Sequence, residues 1–170
     1  MTVEQPEPSF PAAEFPRRWA RLAAFVAPRL QAGEGVRAIL SKTGKPHPLI
    51  DILAGLVSLD SLADDSATHR AIVVTDRQVF IVRMPWLGAW SIEQVSDLDA
   101  VAVAAFTTGS LPAAGLLHTP GNVRLRFSGH RHMDFSFGVG GAEQSLLRAE
   151  AEAVVKALAT PAMSGDVPAS

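Results

Sequence analysis

The stretch that decides the fold is Ala71-Ile-Val-Val-Thr-Asp-Arg-Gln-Val-Phe-Ile-Val-Arg83. Two apolar runs rich in β-branched residues flank a short polar reversal, which is the pattern of a strand, a turn and a second strand. Thr75 and Asp76 stand just before the tip at Asp76-Arg77, where such side chains bond backbone groups two residues ahead. Ala71, Ile72, Val73 and Val74 are apolar at consecutive positions. Successive strand residues face opposite sides of a sheet, so this strand is predicted to be covered on both faces.

Toward the N-terminus, Val36 to Ser41 reads as a short strand, Lys42-Thr-Gly-Lys-Pro-His-Pro48 as a loop, and Leu49 to Leu59 as a short helix with Ile52, Leu53 and Leu56 on its apolar face. Asp60 to Thr68 is polar and loop-like. Earlier still, Phe15, Trp19, Leu22, Val26 and Leu30 keep helical spacing, which predicts an amphipathic helix within residues 11–31. Arg17, Arg18, Arg21 and Arg29 fall off the stripe or on its rim and are expected to be solvated. Pro28 is expected to kink or end the helix, and Gln31-Ala-Gly-Glu-Gly35 breaks it. Residues 1–10, rich in Pro and Glu, and the small polar tail 160–170 are expected to be disordered.

Toward the C-terminus, Met84 to Ala89 reads as an apolar loop, Trp90 to Val95 and Leu98 to Phe106 as strands, and Thr107 to Gly121 as a loop rich in Gly, Pro and Ala. The clearest alternation follows. Val123, Leu125 and Phe127 alternate with Arg124, Arg126 and Ser128, and Met133, Phe135 and Phe137 alternate with Asp134, Ser136 and Gly138. Opposed residues of an antiparallel pair share a face. The simplest register sets Phe127 against Met133 and Arg126 against Asp134, with Gly129-His130-Arg131 as a three-residue loop. Leu147, Ala151, Val154 and Leu158 give the buried stripe of a helix from Ala142 to Ala159, stopped by Thr160-Pro161.

Seven strands in hairpin-like succession ending in a helix argue against a βαβ sheet. They predict a mainly β fold with a helical cap, a small antiparallel barrel or sandwich. The chain has 170 residues, a net charge of −2 and no cysteine. That length fits one domain. The charge gives no field that would draw nucleic acid. Without cysteine there is no disulfide framework, thiolate metal site or thiol nucleophile. No run approaches the roughly 20 apolar residues of a membrane span, and the acidic start lacks the features of a signal peptide. A cytoplasmic protein is the expectation.

Candidate chemistry is sparse. There is no G-x-S-x-G elbow to support a hydrolytic triad. His130 and His132, with His118 upstream, could share a metal only if both lay on one strand, and His130 falls in the turn. Gly138-x-Gly140-Gly141 leads into a helix, yet the dinucleotide spacing fails and Glu143 stands in the first turn. No catalytic residue, cofactor or metal is expected.

In order and motif the chain resembles the bacterial pleckstrin-homology-like domains. Gly33-Glu34-Gly35-Val36 is similar to the family's turn into the first strand. Val74-Thr75-Asp76-Arg77-Gln78-Val79-Phe80 resembles its hairpin, and Ser91-Ile92-Glu93-Gln94-Val95-Ser96-Asp97-Leu98 a following strand. The resemblance covers residues 33–159, with the N-terminal helix and a helical insertion at about 45–69 as departures. It implies a non-enzymatic binding module for a protein partner or for self-association. It also implies that the loops after strands one, three and six gather at one open end. Those loops supply Lys42 and Lys45, then Met84, Trp86 and Leu87, then His130 and Arg131. Lys42, Lys45, Trp86 and Arg131 are therefore the candidate ligand-binding residues, and an anionic membrane surface is the alternative partner.

Overall fold

A computed structural model describes residues 16–43, 68–85, 89–109, 120–137 and 141–160, and only the backbone of 16–18, 42–43, 68 and 141–145. The inserted helix read at Leu49–Leu59, most of the 45–69 insertion, Lys45 and Trp86 lie outside the described residues, as do both termini.

Helix α1 spans Pro16–Val26 and passes into a 3-10 turn at Ala27–Arg29, with Pro28 at the head of that turn. Proline lacks the N–H that the α-helical ladder needs, so the α-helix stops where the sequence predicts. Strands β1 (Val36–Thr43), β2 (Thr68–Thr75), β3 (Gln78–Pro85) and β4 (Ser91–Asp97) follow, then a 3-10 turn at Leu98–Ala100. Strands β5 (Val101–Thr107), β6 (Gly121–Phe127) and β7 (His132–Phe137) and helix α2 (Gly141–Ala159) complete the chain. Two antiparallel sheets result, ordered β1-β2-β3-β4 and β5-β6-β7.

The fold is an open sandwich rather than a closed barrel, because no strand pairing joins the two sheets among the described residues. The inner core lies between the sheets and under α2. Ala38, Leu40, Ile72, Val74, Val79 and Ile81 from the larger sheet meet Val123, Leu125, Phe127, Phe135 and Phe137 from the smaller one, with Leu147, Ala151 and Val154 of α2. A second core covers the other face of the four-stranded sheet. There Leu22 and Val26 of α1 pack on Ile39, Ala71, Val73, Phe80, Val82 and Met84. Alternate residues of β2 and β3 thus enter different cores, which accounts for the unbroken apolar runs of the central hairpin. Burying Leu22 and Val26 completely contributes about 1.5–3 kcal/mol each.

Two sequence expectations shift here. Leu98 begins a 3-10 turn instead of a strand, and β5 starts at Val101. Met84 is the end of β3 and is 9% exposed, so it is core and not an open loop.

Four register breaks shape the sheets, each inserting an extra residue on one strand. They fall at Arg37, at Ser41-Lys42 opposite Ala71, at Glu93, and at Ala104. Three of them re-aim a polar side chain. Arg37 Nε lies 3.4 Å from Asp76 Oδ1, and Glu93 Oε2 accepts from Arg70 Nε at 2.7 Å. Ser41, left out of the β1–β2 pairing, turns to Glu150.

Glu150 is 1% exposed on α2 and ties three elements together at the β1 edge. Its carboxylate accepts Trp19 Nε1 of α1 at 3.0 Å, the Ser41 backbone N–H at 2.7 Å, and the Ser41 hydroxyl. Arg21, expected to be merely solvated, is exposed but sits 4.9 Å over the Trp90 ring, against which Phe25 packs edge-on.

Two of the three short motifs that carry the family resemblance are bonded to each other. The Glu34 carboxylate accepts from the Thr75 hydroxyl and, at 2.7 Å, from the Gln31 N–H. Asp76 Oδ2 accepts the Gly35 N–H at 2.8 Å, and the Asp76 N–H donates to Gly35 O at 3.1 Å. Arg77 Nη1 donates to Gln31 Oε1 at 2.7 Å. Asp76 therefore fastens the preceding turn, not its own. Thr75 holds the hairpin by accepting the Gln78 N–H at 2.8 Å.

Candidate functional site

Strands β1 to β3 of the four-stranded sheet are covered on both faces, and β4 is a half-exposed edge. The three-stranded sheet is covered on one, and its other face presents the charged side chains of β6 and β7 to solvent. On β6, Val123, Leu125 and Phe127 are buried while Arg124 and Arg126 are exposed; on β7, Phe135 and Phe137 are buried while His132 and Asp134 are exposed.

The register on this face is two residues away from the simplest one. Leu125 opposes Met133, Arg124 opposes Asp134, and Arg126 opposes His132. A slip of two keeps every side chain on its expected face, so alternation alone could not choose between the registers. The loop chooses. Phe127 N–H donates to Arg131 O at 2.8 Å, leaving Ser128-Gly129-His130 as the three-residue connection. Gly129 and His130 take φ of +85° and +65°. Glycine adopts that region freely, and histidine is among the residues that enter it more often than most.

This register decides the electrostatics. Arg124 Nε bonds Asp134 Oδ1 at 2.8 Å, and Asn122 Nδ2 donates to the same oxygen at 2.9 Å. The hydrogen bonds from Arg124 and Asn122 hold the Asp134 carboxyl below the ordinary aspartate range, and the charges of Arg124 and His132 add to this. Arg126, expected to pair with Asp134, instead has His132 across from it and Ala102 on the β5 side. It has no ion-pair partner among the described residues. His130 and Arg131 extend the cationic corner around the turn, and both are exposed. These four basic side chains come from one hairpin, β6–β7.

Of the candidate ligand-binding residues named from the loops, only the side chain of Arg131 is described. Lys42 lies near the end of β1, close to Thr43, which pairs with Arg70; the opposite end of β1, at Val36, pairs with Thr75 beside the β2–β3 tip. The β6–β7 turn is tied toward that tip: Ser128 N–H bonds Ala100 O at 3.0 Å, and Leu98 N–H, at the same corner, bonds Arg77 O at 2.7 Å. The backbone of Lys42 lies in β1 and Arg131 stands beside the β6–β7 turn, with Lys45 and Trp86 outside the described residues. The cue for the observed cluster was in the sequence: Arg126, His130, Arg131 and His132 fall within seven residues. The expected Arg126–Asp134 pair concealed it.

No group of three or more His, Asp or Glu with metal-binding geometry occurs among the described residues. No helix of the described residues is long and apolar enough to cross a membrane. No protein-family model matches the chain, and no curated protein matches it.

Proposed function

We propose that this chain is a non-enzymatic interaction module of the pleckstrin-homology-like kind, and that its docking face for a protein partner is the outer face of β5-β6-β7. The observation that carries this reading is Arg126, a cation on that otherwise uncovered face with no acid opposite it. In the larger sheet α1 and the inner core take both sides of β1 to β3, and the exposed edge strand β4 carries the acids Glu93 and Asp97 in place of basic side chains. The interlock of Glu34, Gly35, Thr75 and Asp76 supports the family reading, because it gives two of the three resembling motifs one structural task.

The charge of the hairpin favours an acidic protein segment over a lipid surface. Peripheral membrane binding needs apolar side chains that enter the bilayer beside the basic ones. The loop Ser128-Gly129-His130-Arg131 offers none, and the exposed large apolar residue among those described is Val95, on β4. Panning a random peptide library against the purified protein and mapping the selected peptides by amide chemical shifts tests the proposal. Shifts concentrated on β5-β6-β7 support it. Selected peptides that perturb only β4 or α1, or no selection above background, overturn it.

A further inference from the structure

We infer that the open edge of β4 takes up an extended basic segment of a protein partner by strand addition, at a site separate from the β5-β6-β7 face. In the order β1-β2-β3-β4, strand β4 ends the larger sheet and pairs with β3 alone among the described residues. An antiparallel strand turns the N–H and C=O groups of alternate residues toward one neighbour, so roughly half of the Ser91–Asp97 backbone aims its groups away from β3. Such a row is a template for another strand. Edges are commonly blunted by lysine or proline, and Ser-Ile-Glu-Gln-Val-Ser-Asp contains neither.

The side chains select the occupant. Val95 opposes Phe80 on the face that α1 packs against, and it is 45% exposed, so it offers apolar surface beside the edge. Asp97, two residues on and on the same face, is exposed and has no ion-pair partner among the described residues. Asp99 stands exposed in the turn that follows. Glu93 is already engaged by Arg70 at 2.7 Å, so Asp97 carries the selection. Opposed residues of an antiparallel pair share a face. The strand that fits therefore sets an apolar residue against Val95 and a lysine or arginine against Asp97. On the inner face Gln94, opposite Ile81, has a buried Oε1 that accepts no hydrogen bond among the described residues; a donor such as threonine across from it would satisfy that oxygen. The same acids work against a second copy. Setting Val95 against Val95 of another copy brings Asp97 beside Glu93 at both ends of the pairing, and like charges so placed repel. The charge that favours a basic strand thus keeps the edges of two copies apart.

The test uses the full chain and a fluorescein-labelled heptapeptide, Lys-Thr-Val-Thr-Lys-Val-Thr, which matches Asp97 back to Ser91 in antiparallel order. Anisotropy reads binding, and amide shifts and hydrogen exchange locate it. Shifts centred on β4, with slowed exchange of β4 amides, are expected. Two further peptides carry N-methyl groups on one or the other set of alternate amides. Only one set can face β4, so one peptide should bind as the parent does and the other should fail. Asp97→Lys should weaken the parent peptide on the order of threefold or more. Equal binding of the two methylated peptides would overturn strand addition, and unchanged binding by Asp97→Lys would overturn the charge selection. Absence of shifts on β4 would overturn the site, whatever acidic peptides do at β5-β6-β7. Light scattering that shows a dimer, with β4 amides already protected in the free protein, would overturn the inference and assign the edge to a second copy.

Discussion

Replacing Glu150 by alanine should cost this fold about 3–5 kcal/mol. The carboxylate is buried and accepts from the Ser41 backbone N–H, the Ser41 hydroxyl and the Trp19 indole. The bulge opposite Ala71 leaves Ser41 outside the β1–β2 pairing, so its N–H has no ladder bond to fall back on. A buried donor stripped of its acceptor costs about 1–3 kcal/mol. The hydroxyl can rotate and the half-buried indole can reach water, so each of those losses is smaller. The cavity left by the four removed heavy atoms, Cγ, Cδ and the two carboxylate oxygens, adds the remainder. Glu150→Gln should cost about 1–2 kcal/mol: the amide oxygen can still accept from Ser41 N–H, but its NH2 then faces the indole N–H, donor against donor. In urea, with a slope of about 2 kcal/mol per molar, the alanine variant's midpoint should fall by about 1.5–2.5 M. A double-mutant cycle of Trp19→Phe with Glu150→Gln should return a coupling of about 1 kcal/mol. An alanine variant within about 0.5 kcal/mol of wild type would refute the idea that this carboxylate holds α1, β1 and α2 together.

Three further outcomes follow from the same structure. Thr75→Val keeps the side-chain shape but removes the hydroxyl that meets Glu34 and accepts the Gln78 N–H; a loss of about 1–3 kcal/mol is expected by chemical denaturation. Gly121→Ala would set a Cβ 2.2 Å from the ring of Phe137, itself 1% exposed; overpacking of a rigid core ring should cost about 1–3 kcal/mol, read as a lower melting temperature. Asp134 has a folded-state pKa below its ordinary 3.8, so its contribution is present above about pH 4 and is lost as pH falls through the lowered value. Arg124→Gln should therefore flatten the wild-type fall in stability between about pH 4 and 2, measured by thermal melts across that range.

The central hairpin was legible because both its signals were local: β-branched runs and a Thr-Asp turn. Coverage on both faces followed from four consecutive apolar residues, though nothing in them named α1 as the outer cover. The α2 stripe was legible for the same reason, with Leu147, Ala151 and Val154 all in the core. Glu150 could have been noticed, since it stands three residues after Leu147 and four before Val154, on the buried arc of that helix. Its partners could not, because Trp19 and Ser41 are more than a hundred residues away in sequence. The β6–β7 register was missed because a two-residue slip preserves the hydrophobic alternation that was used to set it. Only the backbone angles of Gly129 and His130 separate the alternatives. The Arg126↔His132 pairing is a direct product of that slip, so reading it from the sequence required the turn geometry first.

The pairing of β1 with β2 has a consequence for how much the chain between them can vary. The two strands are held along their length by the ladder, and at the Val36 end by the bonds from Gly35 to Asp76 and from Glu34 to Thr75. None of these bonds depends on the peptide joining Thr43 to Thr68. Closing a longer connection costs only about 0.6 kcal/mol for each doubling of its length. As a matter of chain entropy alone, the bonded frame of β1 and β2 would therefore register a longer connection only weakly.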